Sequence, residues 1–219
     1  MEKNKMIKAV IFDLDGVITD SAKYHYKAWK RLADKLGIPF DEEYNEKLKG
    51  VSRLESLDLI LENGPGKEFY SRDEKIAFAE EKNDYYKELI STMTPADILP
   101  GIHRFLEELK ANDIKTAIAS VSRNAFYIID RLELNDYFDY IVDASKVKNA
   151  KPHPDVFLAA AKAIGVKPEE CLAIEDAKAG IMAIKAANMK AVGVGTYEQM
   201  QGADIILKGT EELSLSKLV

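Results

Sequence analysis

Hydrophobic residues fall along this chain in two rhythms. Short continuous apolar runs occupy residues 9–12, 116–119, 140–142, 171–174, 191–194 and 205–207. An unbroken run, as opposed to an alternation of apolar and polar, is what a parallel strand covered on both faces requires. Between most of these runs the spacing becomes that of a helix. Residues 101–112 follow Pro100 and put Ile102, Phe105, Leu106 and Leu109 on one face. Residues 154–165 open with Pro154 and close with Gly165, the end of a helix that each residue favours. Strand alternating with helix predicts α/β architecture, a doubly wound, Rossmann-like core on a parallel sheet.

One stretch breaks the alternation. Residues 21–94 show only helical periodicity, with Trp29, Leu32 and Leu36 on one stripe and Leu57, Ile60 and Leu61 on another. Gly64-Pro65-Gly66 interrupts it once, and a charged helix over 72–90 closes it. A plain crossover of this length is uncommon. The pattern predicts a helical cap domain, residues 21–94, inserted after the first strand and lying over the carboxyl edge of the sheet. The core domain is then residues 1–20 and 95–219.

Bulk properties narrow the function. A chain of 219 residues suits one core domain carrying a smaller one. The formal charge of -6 gives no general attraction to nucleic acid or anionic lipid, so a bound anion must be held by a local site. The single cysteine, Cys171, precludes an intrachain disulfide and points to a reducing compartment. The first apolar run is broken by Asp13, too soon for a secretion signal or a membrane span. The expectation is a cytoplasmic protein that engages neither nucleic acid nor membrane.

Chemistry-bearing residues cluster where the predicted strands end. Asp13 and Asp15 follow the first strand, two residues apart, so in an extended chain both face one side. Like charges so close are costly unless a cation or a proton lies between them. Ser120 closes the second core strand, and Ser122, Arg123 and Asn124 follow in a loop that opens a helix, a setting suited to phosphate. Lys151 precedes the next helix, and Glu175-Asp176 ends another strand. Singly, these are equally well a solvated strand end, a helix cap, a solvated lysine and an acidic loop. Four strand ends carrying acid pair, hydroxyl, lysine and acid pair in order are harder to assign to separate structural needs. An oxygen-only acidic cluster beside a phosphate site suits Mg²⁺.

That order resembles the four motifs of the haloacid dehalogenase superfamily, and Phe12-Asp13-Leu14-Asp15-Gly16-Val17-Ile18-Thr19-Asp20 is similar to its opening motif throughout. Over nearly the whole chain the likeness is to the sugar-phosphate mutases of that superfamily. It implies that Asp13 is the nucleophile, transiently phosphorylated, and Asp15 the general acid/base. Mg²⁺ would be held by the Asp13 carboxylate, the Asp15 backbone carbonyl and Asp176, with Glu175 in or next to the shell. Ser120 and Lys151 would hold the transferring phosphate, and Val121, Ser122, Arg123 and Asn124 would line a second phosphate edge.

All of these core residues serve phosphatases of the superfamily equally well, so the cap must choose the acceptor. Ser21, His25 and Trp29 share one helical face. Lys49-Gly50-Val51-Ser52-Arg53 is a glycine-containing loop with two cations, equally readable as a solvated turn. The resemblance makes this the substrate-specificity loop, with Arg53 and Lys49 facing the distal phosphate and sugar, and pairs His25 with Lys82 to place Asp15. It implies interconversion of β-D-glucose 1-phosphate and β-D-glucose 6-phosphate through a glucose 1,6-bisphosphate, by a monomer, on a small-molecule sugar phosphate. Two alternatives stay open: a sugar-phosphate phosphatase, and a phospho-aspartate receiver domain, which has no need of so long a helical insertion.

Overall fold

A computed structural model describes residues 7–48 and 51–218. The chain runs β1 (Ala9–Phe12), α1 (Ala22–Lys35), α2 (Glu42–Asn45), α3 (Arg53–Glu62), α4 (Arg72–Ile90), α5 (Ile102–Ala111), β2 (Lys115–Ile118), α6 (Ala125–Arg131), β3 (Tyr140–Ile141), α7 (Asp155–Ala163), β4 (Cys171–Glu175), α8 (Lys178–Ala186), β5 (Lys190–Val194), β6 (Ile205–Leu207) and α9 (Leu215–Leu218). It divides into two compact units, Met1–Asp20 with Thr94–Val219, and Ser21–Met93. Thr94, expected with the helical block, falls instead in the sheet unit. Its backbone N–H donates to Asp97 Oδ2 at 2.9 Å and ties it to the turn that follows.

The sheet unit is an α/β fold whose six strands lie in the order β3-β2-β1-β4-β5-β6. Every pairing is parallel. β1 is buried along its whole length because it is covered on both faces. Period-two geometry sends Ala9 and Ile11, with Ala117, Ala173 and Ala191, into a core completed by Val156, Phe157 and Ala160 of α7 and Ile181 and Ile184 of α8. On the opposite face the Phe12 ring meets Phe105 of α5 edge-on at 6.0 Å and Phe138 at 5.9 Å. Alanines on the first face leave room for two helices, and aromatics fill the second.

The strand order reverses at β1, which is flanked by β2 and β4. The carboxyl ends there border the crevice in which such sheets bind ligands. Phe12 stands opposite both Ile118 and Ile174, and the ladder continues past the strand as Asp13 N–H donates to Ile174 O at 2.9 Å. Asp13 and Glu175 are thereby brought level. β4 also runs one residue beyond its apolar run, to Glu175, which is buried as the strand's last residue. Where the chain leaves for the helical unit and returns from it, Leu99 N–H donates to Ile18 O at 2.9 Å and Thr19 Oγ1 to Asp97 O at 2.7 Å.

The helical unit has its own core, Trp29, Leu32 and Ala33 of α1 against Leu57, Ile60 and Leu61 of α3 and Ala79 of α4. Leu36, read on the α1 stripe, packs at its edge, partly buried. α3 and α4 both start on capping boxes, Ser52 with Glu55 and Ser71 with Glu74, so the Ser-x-x-Glu pattern fixes both helix starts. Among the described residues no helix is long and apolar enough to cross a membrane.

Candidate active site

In the sheet unit the site grows from the end of β1. After Asp15 the chain turns at once, with Gly16 N–H donating to Thr19 O at 2.8 Å and Thr19 N–H to Leu14 O at 3.2 Å. Gly16 has φ of +81°, and a methyl there would stand 2.1 Å from Asp176 Oδ2. Glycine is what permits both the left-handed turn and the close approach of the Asp176 carboxylate. Asp15 sits half-buried at this turn.

Lys151 joins the acids. Its Nζ donates to Asp13 Oδ1 at 2.6 Å and to Glu175 Oε1 at 2.8 Å, and all three residues are buried. The other Glu175 oxygen, Oε2, accepts from Asp176 N–H at 2.6 Å and Ala177 N–H at 3.0 Å. One carboxylate therefore fixes both the ammonium and the loop that carries Asp176. The Lys151 loop is clasped in turn by Asp155, the first residue of α7. Its Oδ2 accepts from Asn149 N–H at 3.1 Å and Asn149 Nδ2 at 3.0 Å, and its Oδ1 lies 2.9 Å from His153 Nδ1.

Burial pushes the Asp13 carboxyl up to about 6, with the Lys151 ammonium pulling it down and the Glu175 charge adding to the rise. Burial also works against the Lys151 ammonium, but the Asp13 and Glu175 carboxylates outweigh it and hold the lysine above its ordinary range. Asp13, Glu175 and Asp176 bring carboxylate oxygens within 4.8 Å of one another. Lys151 is bonded to two of these acids, Asp13 and Glu175, and the third, Asp176, stands half-buried at the Gly16 notch. Oxygen donors alone, gathered this closely, fit a hard divalent cation such as Mg²⁺.

Ser120 lies two residues past β2 and is buried. Its Oγ accepts from Ser122 N–H at 3.0 Å, and Ser122 Oγ accepts from Asn124 N–H at 3.3 Å, folding residues 120–124 into a turn that opens α6. Within that turn Asn124 is buried, Val121 and Ser122 are half-buried and Arg123 is exposed.

The helical unit brings three of its expected residues together. Lys82 Nζ lies 2.9 Å from His25 Nδ1 and sits over the rings of Trp29, at 4.6 Å, and Tyr86, at 4.7 Å. An ammonium can only donate, so Nδ1 accepts and the imidazole proton belongs on Nε2. Burial, then the charges of Lys82 and Arg53, hold His25 well below its usual value, so the ring is neutral near pH 7. Arg53 opens α3 and is half-buried. Val51 packs, partly buried, against the helical core, and Ser52 Oγ caps α3 by accepting from Glu55 N–H at 3.4 Å. Lys49 and Gly50 lie outside the described residues. Sequence reasoning misses Tyr86 and Asp155. Tyr86 stands four residues after Lys82 on α4, a spacing that could have found it. Asp155 signals only as an acid in a first helical turn.

A nucleophile-type aspartate paired to a buried lysine, at the switch point of a parallel sheet and beside a second acid pair, defines a class. The sequence pattern of the haloacid dehalogenase-like hydrolases matches residues 7–188, and the chain belongs to that family. Within it the likeness is particular. The chain is 52% identical to the β-phosphoglucomutase of Bacillus subtilis over 212 residues, 97% of this chain and 94% of that protein. A crystal structure of β-phosphoglucomutase from Clostridium difficile matches with a TM-score of 0.95 and 52% identity, covering 97% of this chain and 96% of that one. A phosphorylated carbohydrates phosphatase of Thermotoga maritima is 33% identical over 188 residues, 85% of this chain and 84% of that protein.

Proposed function

We propose that this protein interconverts β-D-glucose 1-phosphate and β-D-glucose 6-phosphate through a phospho-aspartyl enzyme and a glucose 1,6-bisphosphate, acting as a single chain in the cytoplasm. The observation that carries the reading is identity of 52% to a β-phosphoglucomutase sustained over 97% of the chain, helical unit included. The site geometry supports phosphoryl transfer as the step.

In this reading an Asp13 carboxylate oxygen forms a bond to phosphorus as the bond from phosphorus to the sugar oxygen breaks, and Asp15 delivers a proton to that departing oxygen. In the second half Asp15 removes the proton of the attacking sugar hydroxyl, which takes the phosphoryl group from Asp13. Lys151 holds Asp13 in place and offsets charge on the phosphoryl oxygens, to which Ser120 donates its hydroxyl. Asp13, the Asp15 backbone carbonyl, Glu175 and Asp176 would hold Mg²⁺, which when bound supplies positive charge against the anionic reactants. Ser122, Arg123, Asn124, Arg53 and Lys49 are assigned to the phosphate not being transferred, because a planar arginine fork can bind two of its oxygens. Trp29, Gly50 and the main chain of Val51 and Ser52 are assigned to substrate binding, and neutral His25 with Lys82 to placing Asp15. A phosphatase would use the same core residues with water as acceptor, a reading that the 33% identity to the Thermotoga maritima phosphatase supports less strongly than the 52% identity supports the mutase.

Incubation with β-glucose 1-phosphate, Mg²⁺ and a trace of β-glucose 1,6-bisphosphate should give glucose 6-phosphate without matching inorganic phosphate. The α-anomer should be inert. Phosphate release equal to substrate loss would overturn the reading.

A further inference from the structure

α8 carries a glycine where helix stability alone would favour alanine. Gly180 is buried in the first turn of α8, and its backbone is ordinary helix, so no dihedral angle calls for glycine. Glycine in such a position costs about 1 kcal/mol against alanine. The reason for it lies in what faces it. A methyl at position 180 would stand 1.7 Å from Glu175 Oε1, 2.0 Å from Cδ and 2.3 Å from Cγ. The clash covers the length of the side chain, so rotating the carboxylate alone does not relieve it. Nor is Glu175 free to withdraw, since Oε1 holds Lys151 at 2.8 Å and Oε2 accepts two backbone N–H groups of the Asp176 loop.

We propose that Gly180 is a positioning residue for phosphoryl transfer. Its missing side chain is the slot that seats Glu175, and through Glu175 it sets the Lys151 ammonium on Asp13 and presents Asp176. The role rests on the proposed transfer at Asp13 but not on which acceptor takes the phosphoryl group.

Gly180→Ala tests this. Alanine should lower the thermal unfolding temperature, because the displaced Glu175 loosens the buried ion pairs, while the variant still folds. Displacing Glu175 should lower kcat about 100-fold, for sugar phosphate and for hydrolysis of p-nitrophenyl phosphate alike, with KM little changed. Mg²⁺ affinity of the folded variant, measured by calorimetry, should fall. Glu175→Asp shortens the acid by one methylene and makes room for the methyl. The double variant Gly180→Ala/Glu175→Asp should therefore keep about tenfold or more activity than the product of the two single losses predicts. Gly180→Ala with parental kcat and Mg²⁺ affinity would overturn the proposal, and so would a double variant whose losses simply multiply. Should Gly180→Ala fail to fold, folding of the double variant would support the slot, and failure of both would overturn it. If the parent proves to be a phosphatase, the aryl phosphate and Mg²⁺ readouts still judge Gly180.

Discussion

Burying an ammonium between two carboxylates is costly, and the geometry around Lys151 shows what offsets the cost. Each of its two ion pairs is short, and Glu175 is itself satisfied by two backbone N–H groups. In such a cluster, removing one member leaves an uncompensated buried charge. In the helical unit Lys82 lies against the His25 imidazole and the faces of two aromatic rings. Burial, and then the neighbouring Lys82 and Arg53 charges, make His25 resist protonation. Unfolded, it takes up a proton near 6.5; folded, it does so only at lower pH. Between those two values the unfolded chain binds more protons, so the His25 contribution is complete above about 6.5 and is lost as pH falls toward the folded value. Histidine NMR should find His25 neutral well below pH 6.5. Lys82→Met should move its titration upward yet short of the ordinary value, because burial persists. An unchanged His25 titration in that variant would contradict the pairing.

Among the elements, the strand ends were the most legible part of the site. Asp13, Ser120, Lys151 and Glu175-Asp176 stand just beyond unbroken apolar runs or just before a helix, where polar residues are easily noticed. Their division of labour was hidden. Adjacent acids look alike in sequence, but Glu175 is the buried last residue of β4 and binds inward, whereas Asp176 turns toward Gly16. Ser52 sits in a loop that reads as anion-binding, yet Ser-x-x-Glu also spells a capping box, and the helix start claims the hydroxyl. Asp155 shows how α7 carries the Lys151 loop. Asp155→Ala should cost about 1–2 kcal/mol of stability through the lost charge-assisted hydrogen bonds. It should also slow turnover about tenfold by loosening Lys151. Asp155→Asn, which keeps an acceptor for Asn149, should recover much of both. Denaturant unfolding and steady-state kinetics check this pair, and equal losses in the two variants would assign the effect to charge instead of the clasp.

For the whole molecule, the two periodicities along the chain correspond to two compact units with separate cores. The apolar runs separated by helical spacing gave away the parallel sheet, and the absence of strand-like runs from 21 to 94 gave away the helical unit, which the structure ends at Met93. What no periodicity reveals is the acceptor, because Asp13, Lys151, Glu175 and Asp176 serve water and sugar hydroxyl equally. That choice is best read from the oxygen. Turnover of β-glucose 1-phosphate in H₂¹⁸O, with Mg²⁺ and a trace of the bisphosphate, should give glucose 6-phosphate whose phosphoryl group carries no ¹⁸O, and Asp13→Asn should give no product. Inorganic phosphate carrying one ¹⁸O per turnover would mean that water takes the phosphoryl group, and would contradict the account.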